Sequence, residues 1–154
     1  MVVADESATL FSERLTPSLT TWLLAPSVGA IFFIMFLPAN VTVAIAAGVV
    51  SAALAALWLW SLAAIVELTA THLRVGRAEI EIGALGEATA CSPDDVSFYM
   101  GPGSDARSFV LTRPWVRTGI YIEQQDPRDP TPYWLFSSRR GEEFVHALRS
   151  LQEA

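Results

Sequence analysis

The sequence has no lysine, a single cysteine and an acidic balance of charge. Its ten basic residues, all of them arginine, stand against 16 acidic residues, and the formal net charge is −6. We expect no nucleic-acid partner, because surfaces that bind nucleic acids carry an excess of positive charge. Cys91 has no second cysteine with which to form a disulfide inside the chain.

The most informative absence is that of charge over a long continuous stretch. Residues 15–66 contain no Asp, Glu, Lys, Arg or His, although 17% of the whole chain is charged. A domain surrounded by water rarely tolerates such a stretch, since its surface needs charged side chains. The sequence therefore predicts one part of the chain in lipid and another in water, with the membrane lipid bilayer as a partner.

Two segments of this stretch have the length of a membrane-spanning helix. The first covers residues 17–37, in which Pro26 predicts a kink, and the second covers residues 41–66. Asn40, in the connection, can cap the second helix. Because the connection is only three residues long, we expect an antiparallel transmembrane helical hairpin over residues 16–67.

A cleaved secretory signal is the alternative to the first helix. The N-terminal part of such a signal is basic, whereas residues 1–14 carry three acidic residues and only Arg14 as a positive charge. A membrane helix is therefore favoured. Arg14 before the hairpin, with Arg74 and Arg77 after it, predicts a multi-pass protein of the plasma (inner) membrane with both termini in the cytoplasm.

After the hairpin the pattern changes to that of strands. Alternating apolar residues and turn residues predict about six strands, over residues 69–75, 78–82, 87–90, 108–111, 118–123 and 133–137. Ser92 is the expected N-cap of a short helix over residues 92–99. An amphipathic helix over residues 142–152 ends the chain.

This order of elements predicts the architecture of the water-exposed part. It is typical of a pleckstrin-homology-like (PH-like) α+β domain, a partly open β-barrel with a C-terminal helix, and an irregular α+β sandwich is the alternative. The expected organisation is a cytoplasmic segment over residues 1–15, the hairpin, and a cytoplasmic PH-like domain over residues 68–154.

Four short segments are familiar in combination: FSERL at 11–15, LRVGRA at 73–78, RPWV at 113–116 and DPTPYW at 129–134. With them the chain resembles, from Phe11 to Leu151, an actinobacterial two-helix membrane family of unknown function, domain of unknown function 3093. The resemblance implies two membrane helices and a cytoplasmic tail. It implies no activity and no catalytic residues.

No catalytic residue, metal site or cofactor is predicted. His72 and His146 are separate in the sequence, and neither has further ligands at the spacing of a metal site. Asp126 and Asp129 flank Arg128 in a proline-rich segment, where turn formation accounts for them better than acid–base chemistry.

One group of residues combines arginine with aromatic side chains, and it comprises Arg113, Trp115, Arg117, Tyr133, Trp134, Arg139 and Arg140. Such residues can bind an anionic headgroup or a protein partner. The alternative is that Trp115 and Trp134 are core residues and the arginines are simply hydrated. Counting strand directions from the second helix places the group at the membrane-proximal rim and the Gly76-Arg77 turn at the far end.

Small residues recur every four positions in the second helix, at Ala44, Gly48, Ala52 and Ala56. This spacing permits close packing of helices. The helix partner would belong to a larger complex, and plain contact with lipid is the alternative.

These observations favour a non-enzymatic accessory or scaffold protein. Its hairpin and cytoplasmic domain would bind another membrane protein or a second copy of itself. The alternative function is a PH-like module that binds anionic lipid headgroups at the inner membrane surface, and an enzyme is the least favoured class.

Overall fold

The computed structural model describes residues 9–153. By their contacts these residues form two compact units: a helical unit of residues 16–64, and a β unit that combines residues 9–15 with residues 65–153. Residues 1–8, most of the predicted N-terminal segment, lie outside the described residues.

Three α-helices make up the helical unit: α1 (Leu19–Trp22), α2 (Leu24–Phe36) and α3 (Val41–Ser61). Since α1 and α2 follow one another almost directly, the unit contains two helical spans, Leu19–Phe36 and Val41–Ser61. Each is long and apolar enough to cross a membrane.

Side-chain caps determine where the spans begin. The Ser18 hydroxyl accepts a hydrogen bond from the N–H of Thr21 at 3.3 Å, so the first span starts at Leu19, two residues later than expected. Asn40 caps the second span, as predicted, because its side-chain oxygen accepts from the N–H of Thr42 at 2.7 Å.

The predicted irregularity at Pro26 appears one turn earlier, at Leu23, where α1 ends and α2 begins. Proline has no N–H with which to bond the carbonyl of Trp22, four residues before it, and its ring crowds that carbonyl. The helix resumes at once, since the N–H of Ser27 donates to the carbonyl of Leu23 at 3.2 Å.

The two spans pack against each other through glycine and alanine. A Cβ atom at Gly48 would lie 3.0 Å from the carbonyl oxygen of Gly29 and 3.1 Å from the Cβ of Phe33. Near the start of one span and the end of the other, the rings of Trp22 and Trp60 meet edge to face at 6.4 Å. The spans are therefore antiparallel.

The first sheet of the β unit has the order β1-β2-β3-β4, with β1 (Thr9–Leu15), β2 (Ala64–Thr69), β3 (His72–Val75) and β4 (Ala78–Glu81). Alternate residues of these strands are buried, including Phe11 and Leu15 of β1. The described part of the predicted N-terminal segment is thus a strand of the β unit, hydrogen-bonded to β2. The sequence did not indicate this, because β1 finds its neighbour only beyond the two spans.

The second sheet has the order β5-β7-β8-β6, with β5 (Leu85–Cys91), β6 (Phe109–Leu111), β7 (Gly119–Gln124) and β8 (Tyr133–Ser137). β7 is antiparallel to both of its neighbours, β5 and β8, whereas the short β6 lies parallel to β8 at the edge. The helix α4 (Pro93–Met100) has the predicted cap at Ser92, reinforced by Asp95.

The final helix, α5 (Gly141–Gln152), links the two sheets through one phenylalanine. Phe144 is fully buried, and its ring meets Phe11 of β1 at 5.4 Å and Phe136 of β8 at 5.5 Å. The core of the β unit therefore depends on residues from both ends of the chain. The described residues form eight strands in two sheets, with no pairing that closes one barrel.

The second span ends at Ser61, five residues before its predicted end at residue 66. Val66 is instead fully buried in β2 and pairs with Val75 of β3. A short apolar run at the end of a helix has the same composition as a buried strand, so hydrophobicity alone did not separate them.

β2 is an additional strand before the first predicted one, and it changes the position of the Gly76-Arg77 turn. The N–H of Gly76 donates to the carbonyl of Ile65 at 2.8 Å, so the Gly76-Arg77 turn lies beside the beginning of β2. The prediction that put this turn at the far end of the domain is wrong. Gly76 has a φ of 64°, a conformation that favours glycine.

Replacing Gly48 by leucine should destabilise the helical unit by about 1–3 kcal/mol, because the added side chain has no room against Gly29 and Phe33. Val50→Leu, at an exposed position of the same helix, is the matched control and should have little effect. Thermal unfolding of the purified protein in mild detergent, followed by circular dichroism, measures both. Equal melting temperatures for the two variants would contradict the packing described here.

Candidate functional site

A buried carboxylate holds β1 in the β unit. Glu13 is 7% exposed. One of its oxygens accepts a hydrogen bond from the Ser138 hydroxyl at 2.6 Å, and the other accepts from the backbone N–H of Arg139 at 2.9 Å. Burying a carboxylate costs free energy unless donors satisfy it. Glu13 therefore ties β1 to the segment between β8 and α5.

Arg140 adds a second set of contacts to β1. Its guanidinium donates to both carboxylate oxygens of Glu143 and to the carbonyl of Ser12 at 3.3 Å, and it lies 5.0 Å from the centre of the Phe11 ring. Hydrogen bonding within this ion pair raises the pKa of Arg140 and lowers the pKa of Glu143. Arg140 thus has a structural role beside the middle of β1.

Trp115 lies at the end of the same strand. Its indole N–H donates to the carbonyl of Leu15, the last residue of β1, at 3.2 Å. Only residues 16–18 separate Leu15 from the first helical span. The predicted site residue Trp115 is therefore fixed next to the point where the chain leaves the β unit.

Ser137 builds the turn that carries Trp115. It is fully buried, and its hydroxyl accepts from the N–H of Arg113 at 2.9 Å and donates to the carbonyl of Val116 at 3.2 Å. The N–H of Val116 donates to the carbonyl of Arg113 at 2.9 Å, which closes the turn. The guanidinium of Arg113 donates to the adjacent Thr112 carbonyl at 3.3 Å.

Three exposed arginines share this end of the β unit. Arg14 is the penultimate residue of β1, and Arg139 bonds to Glu13 through its backbone. Arg117 precedes Thr118, whose hydroxyl donates to the carbonyl of Ser138 at 2.6 Å, so Arg117 is close to the segment of Arg139. We call Arg14, Trp115, Arg117 and Arg139 the arginine rim.

Tyr133 and Trp134 do not belong to this end. They are 5% and 6% exposed and begin β8, whereas Arg139 follows the end of that strand. A strand of this length separates its ends by about 13 Å. Trp134 packs on the Phe109 ring at 4.2 Å, and its buried indole N–H has no hydrogen-bond partner among residues 9–153. The seven predicted residues therefore do not form one site.

Tyr133 instead belongs to a stack of tyrosines that sequence reasoning missed. Its ring lies 5.0 Å from Tyr121 and 5.7 Å from Tyr99, and the last two rings stack at 4.6 Å. The Tyr133 hydroxyl accepts from the N–H of Asp105 at 3.1 Å. Burial raises the pKa of Tyr121. These contacts fasten α4 and its following loop to the second sheet.

The small-residue positions of α3 face different surroundings. Gly48 and Ala52 lie against Gly29 of α2, while Ala44 is buried and Ala56 is half-buried. At Gly48 and Ala52 the close approach predicted from the sequence is therefore made within the chain itself.

Two other titratable groups have perturbed pKa values. Hydrogen bonds from Arg107 lower the pKa of the exposed Asp105 carboxyl to about 2. Burial raises the pKa of the Cys91 thiol, which disfavours the reactive thiolate. Among residues 9–153, no three His, Cys, Asp or Glu side chains come together as metal ligands.

The sequence signal for Glu13 was weak, because a single glutamate in an N-terminal segment has no local pattern. Alternation of Phe11, Glu13 and Leu15 on one side of β1 is the only local feature that could have indicated burial.

Glu13→Ala should lower the free energy of unfolding by about 1–3 kcal/mol, because the Ser138 hydroxyl and the Arg139 N–H lose their acceptor. The control is Glu79→Ala, at an exposed position of β4, for which we expect a change within about 0.5 kcal/mol. Denaturant unfolding followed by tryptophan fluorescence measures the difference. The bonding described for Glu13 would be refuted by two indistinguishable curves.

Comparison with known proteins identifies the family. A model described as Protein of unknown function (DUF3093) matches residues 10–148, a range that runs from β1 through the helical unit into α5. No curated protein and no solved structure matches the chain. Because the match covers most of the sequence, the resemblance noted from its short segments is confirmed: the chain belongs to the DUF3093 family of proteins of unknown function.

Proposed function

We propose that this protein is a non-enzymatic scaffold or accessory protein of the plasma membrane. In this proposal the helical unit is a transmembrane hairpin, and the β unit is a cytoplasmic domain that binds another membrane protein or a second copy of this chain. The observation that carries the proposal is the position of the helices in the chain. They lie between β1 and β2, which are hydrogen-bonded neighbours in one sheet.

The surface of the helical unit supports insertion into lipid. Large apolar side chains are more than 60% exposed at Ile31, Ile34, Met35, Val49, Leu54 and Leu57. Exposure of such side chains to water is unfavourable, whereas contact with lipid tails is not. The hairpin therefore needs a membrane or an apolar partner to cover it.

The strand order supports an even number of membrane crossings by the chain. Because β1 and β2 pair in one sheet, the chain must leave and re-enter the same side of the membrane. Arg14, Arg74 and Arg77 flank the spans on that side, and positive flanks favour the cytoplasm. We propose on this basis that both termini are cytoplasmic.

A PH-like assignment of the β unit is supported by its closing helix. The β unit consists of two sheets, and α5 packs on both of them, because its Phe144 contacts a strand of each. The parallel edge strand β6 is an addition to this simple arrangement.

Reporter fusions test the topology. A fluorescent protein fused to the C-terminus should be active and alkaline phosphatase should not be, because phosphatase folds only outside the cytoplasm. A phosphatase fusion at Asn40, between the two spans, is the control and should be active. Phosphatase activity at the C-terminus would overturn the proposed orientation.

Two exposed apolar side chains at the end of α4 support a surface for a protein partner. Phe98 and Met100 are 53% and 54% exposed, more than the other large apolar side chains described in the β unit. Both lie in the last turn of the same short helix, whose Val96 and Tyr99 contact the second sheet. We propose that this end of α4 contributes to partner binding.

The double variant Phe98→Ser, Met100→Ser should reduce recovery of a partner at least severalfold, because it removes the apolar contact. Leu10→Ser, at an exposed apolar position of β1, is the control. Affinity purification in mild detergent with quantitative mass spectrometry gives the measurement, and cross-linking reports a second copy of the chain. Identical sets and amounts of co-purifying proteins for both variants would exclude this surface.

A further inference from the structure

We infer that the arginine rim lies against the bilayer and binds the phosphates of anionic lipid headgroups, which orients the β unit on the membrane. The inference rests on the proposed function in one respect, namely that the helical unit spans the bilayer. It adds a ligand class and a binding surface.

The length of the connections keeps the rim near the lipid. Residues 16–18 join Leu15 to the first span, and residues 62–63 join the second span to β2. A chain segment from Leu15 to Leu19 reaches at most about 14 Å. The indole N–H of Trp115 is bonded to the Leu15 carbonyl. Trp115 is thereby held within reach of the interface, where tryptophan is favoured.

The exposed charges of the rim suit phosphate. Arg14, Arg117 and Arg139 are exposed, and a guanidinium binds phosphate oxygens with two parallel hydrogen bonds. Two acidic side chains of the same region are already engaged, Glu13 by Ser138 and the Arg139 backbone, and Glu143 by Arg140.

The remaining acidic groups limit where anionic lipid could bind. Asp94 and Glu142, in the first turns of α4 and α5, are exposed, and Asp95 is bonded to Ser92. Since the whole chain has a net charge of −6, general electrostatic attraction to anionic lipid is not expected. Any preference for such lipid must come from a local arrangement of arginines.

An arginine at the opposite end of the second sheet serves as a control position. Arg128 lies in the loop after β7, and its N–H donates to the Asp126 carboxylate at 2.9 Å. Six residues of β7, about 17 Å of strand, separate that loop from Gly119 at the rim end. Arg128 is therefore an exposed arginine that is far from the proposed lipid surface.

Reconstitution of the full chain tests the inference. The protein is incorporated into nanodiscs of phosphatidylcholine with a minor share of phosphatidylglycerol, then extracted gently, and the retained lipids are quantified by native mass spectrometry. We expect phosphatidylglycerol to be enriched over its share. Arg117→Gln and Arg139→Gln should each reduce the enrichment by up to about fivefold, since one arginine near an anionic surface contributes about 1 kcal/mol.

Arg128→Gln is the matched control and should retain the wild-type enrichment. Melting temperatures of all variants show whether the fold is kept, and Arg139→Gln preserves the backbone bond to Glu13. Absence of enrichment, or equal loss in the Arg128 variant, would overturn the inference. Failure of the chain to enter the bilayer in a flotation assay would instead overturn the proposed membrane anchor.

Discussion

Pairing of β1 with β2 is the constraint on which the rest of the structure depends. These neighbouring strands are separated in sequence by the entire helical unit. Joining distant segments costs loop-closure entropy, which grows with the length of a flexible connection. Here the connection is a pair of antiparallel helices, and contact between Trp22 and Trp60 shows that its two ends lie close together. The helical unit thus returns the chain to where β2 begins.

The contacts that hold β1 also determine which arginines can have a further role. Arg140 is occupied by Glu143 and Ser12, and the Arg139 backbone satisfies Glu13. Arg117, by contrast, is an exposed member of the arginine rim that takes no part in the contacts described for β1. β1 leads into the first span through residues 16–18, so the strand that these contacts hold is the one that precedes the helices in the chain.

Counting strand directions shows how local errors spread through a topology. The sequence-based count assigned β2 to the second helix, which reversed the expected position of the Gly76-Arg77 turn. The count also kept residues 91–105 at one end of the domain, whereas the chain crosses the domain in this region, because β5 ends beside Gly119 and β6 begins beside Trp134. The additional strand β2 and the uncounted crossing between β5 and β6 each reverse the expected direction of the chain. The two errors therefore cancel, and Trp115 lies at the end of the β unit toward which β5 and β8 run.

By itself the sequence determined the features that depend on local chemistry. The charge-free stretch, the caps at Asn40 and Ser92, the break caused by Pro26 and the final amphipathic helix follow from neighbouring residues. Only the tertiary structure decided that residues 9–15 form a strand, that Glu13 is buried, and that Tyr133 and Trp134 are separated from the arginines. Each of these depends on partners far away in the chain, such as Ser138, 125 residues from Glu13, and no local pattern encodes such a distance.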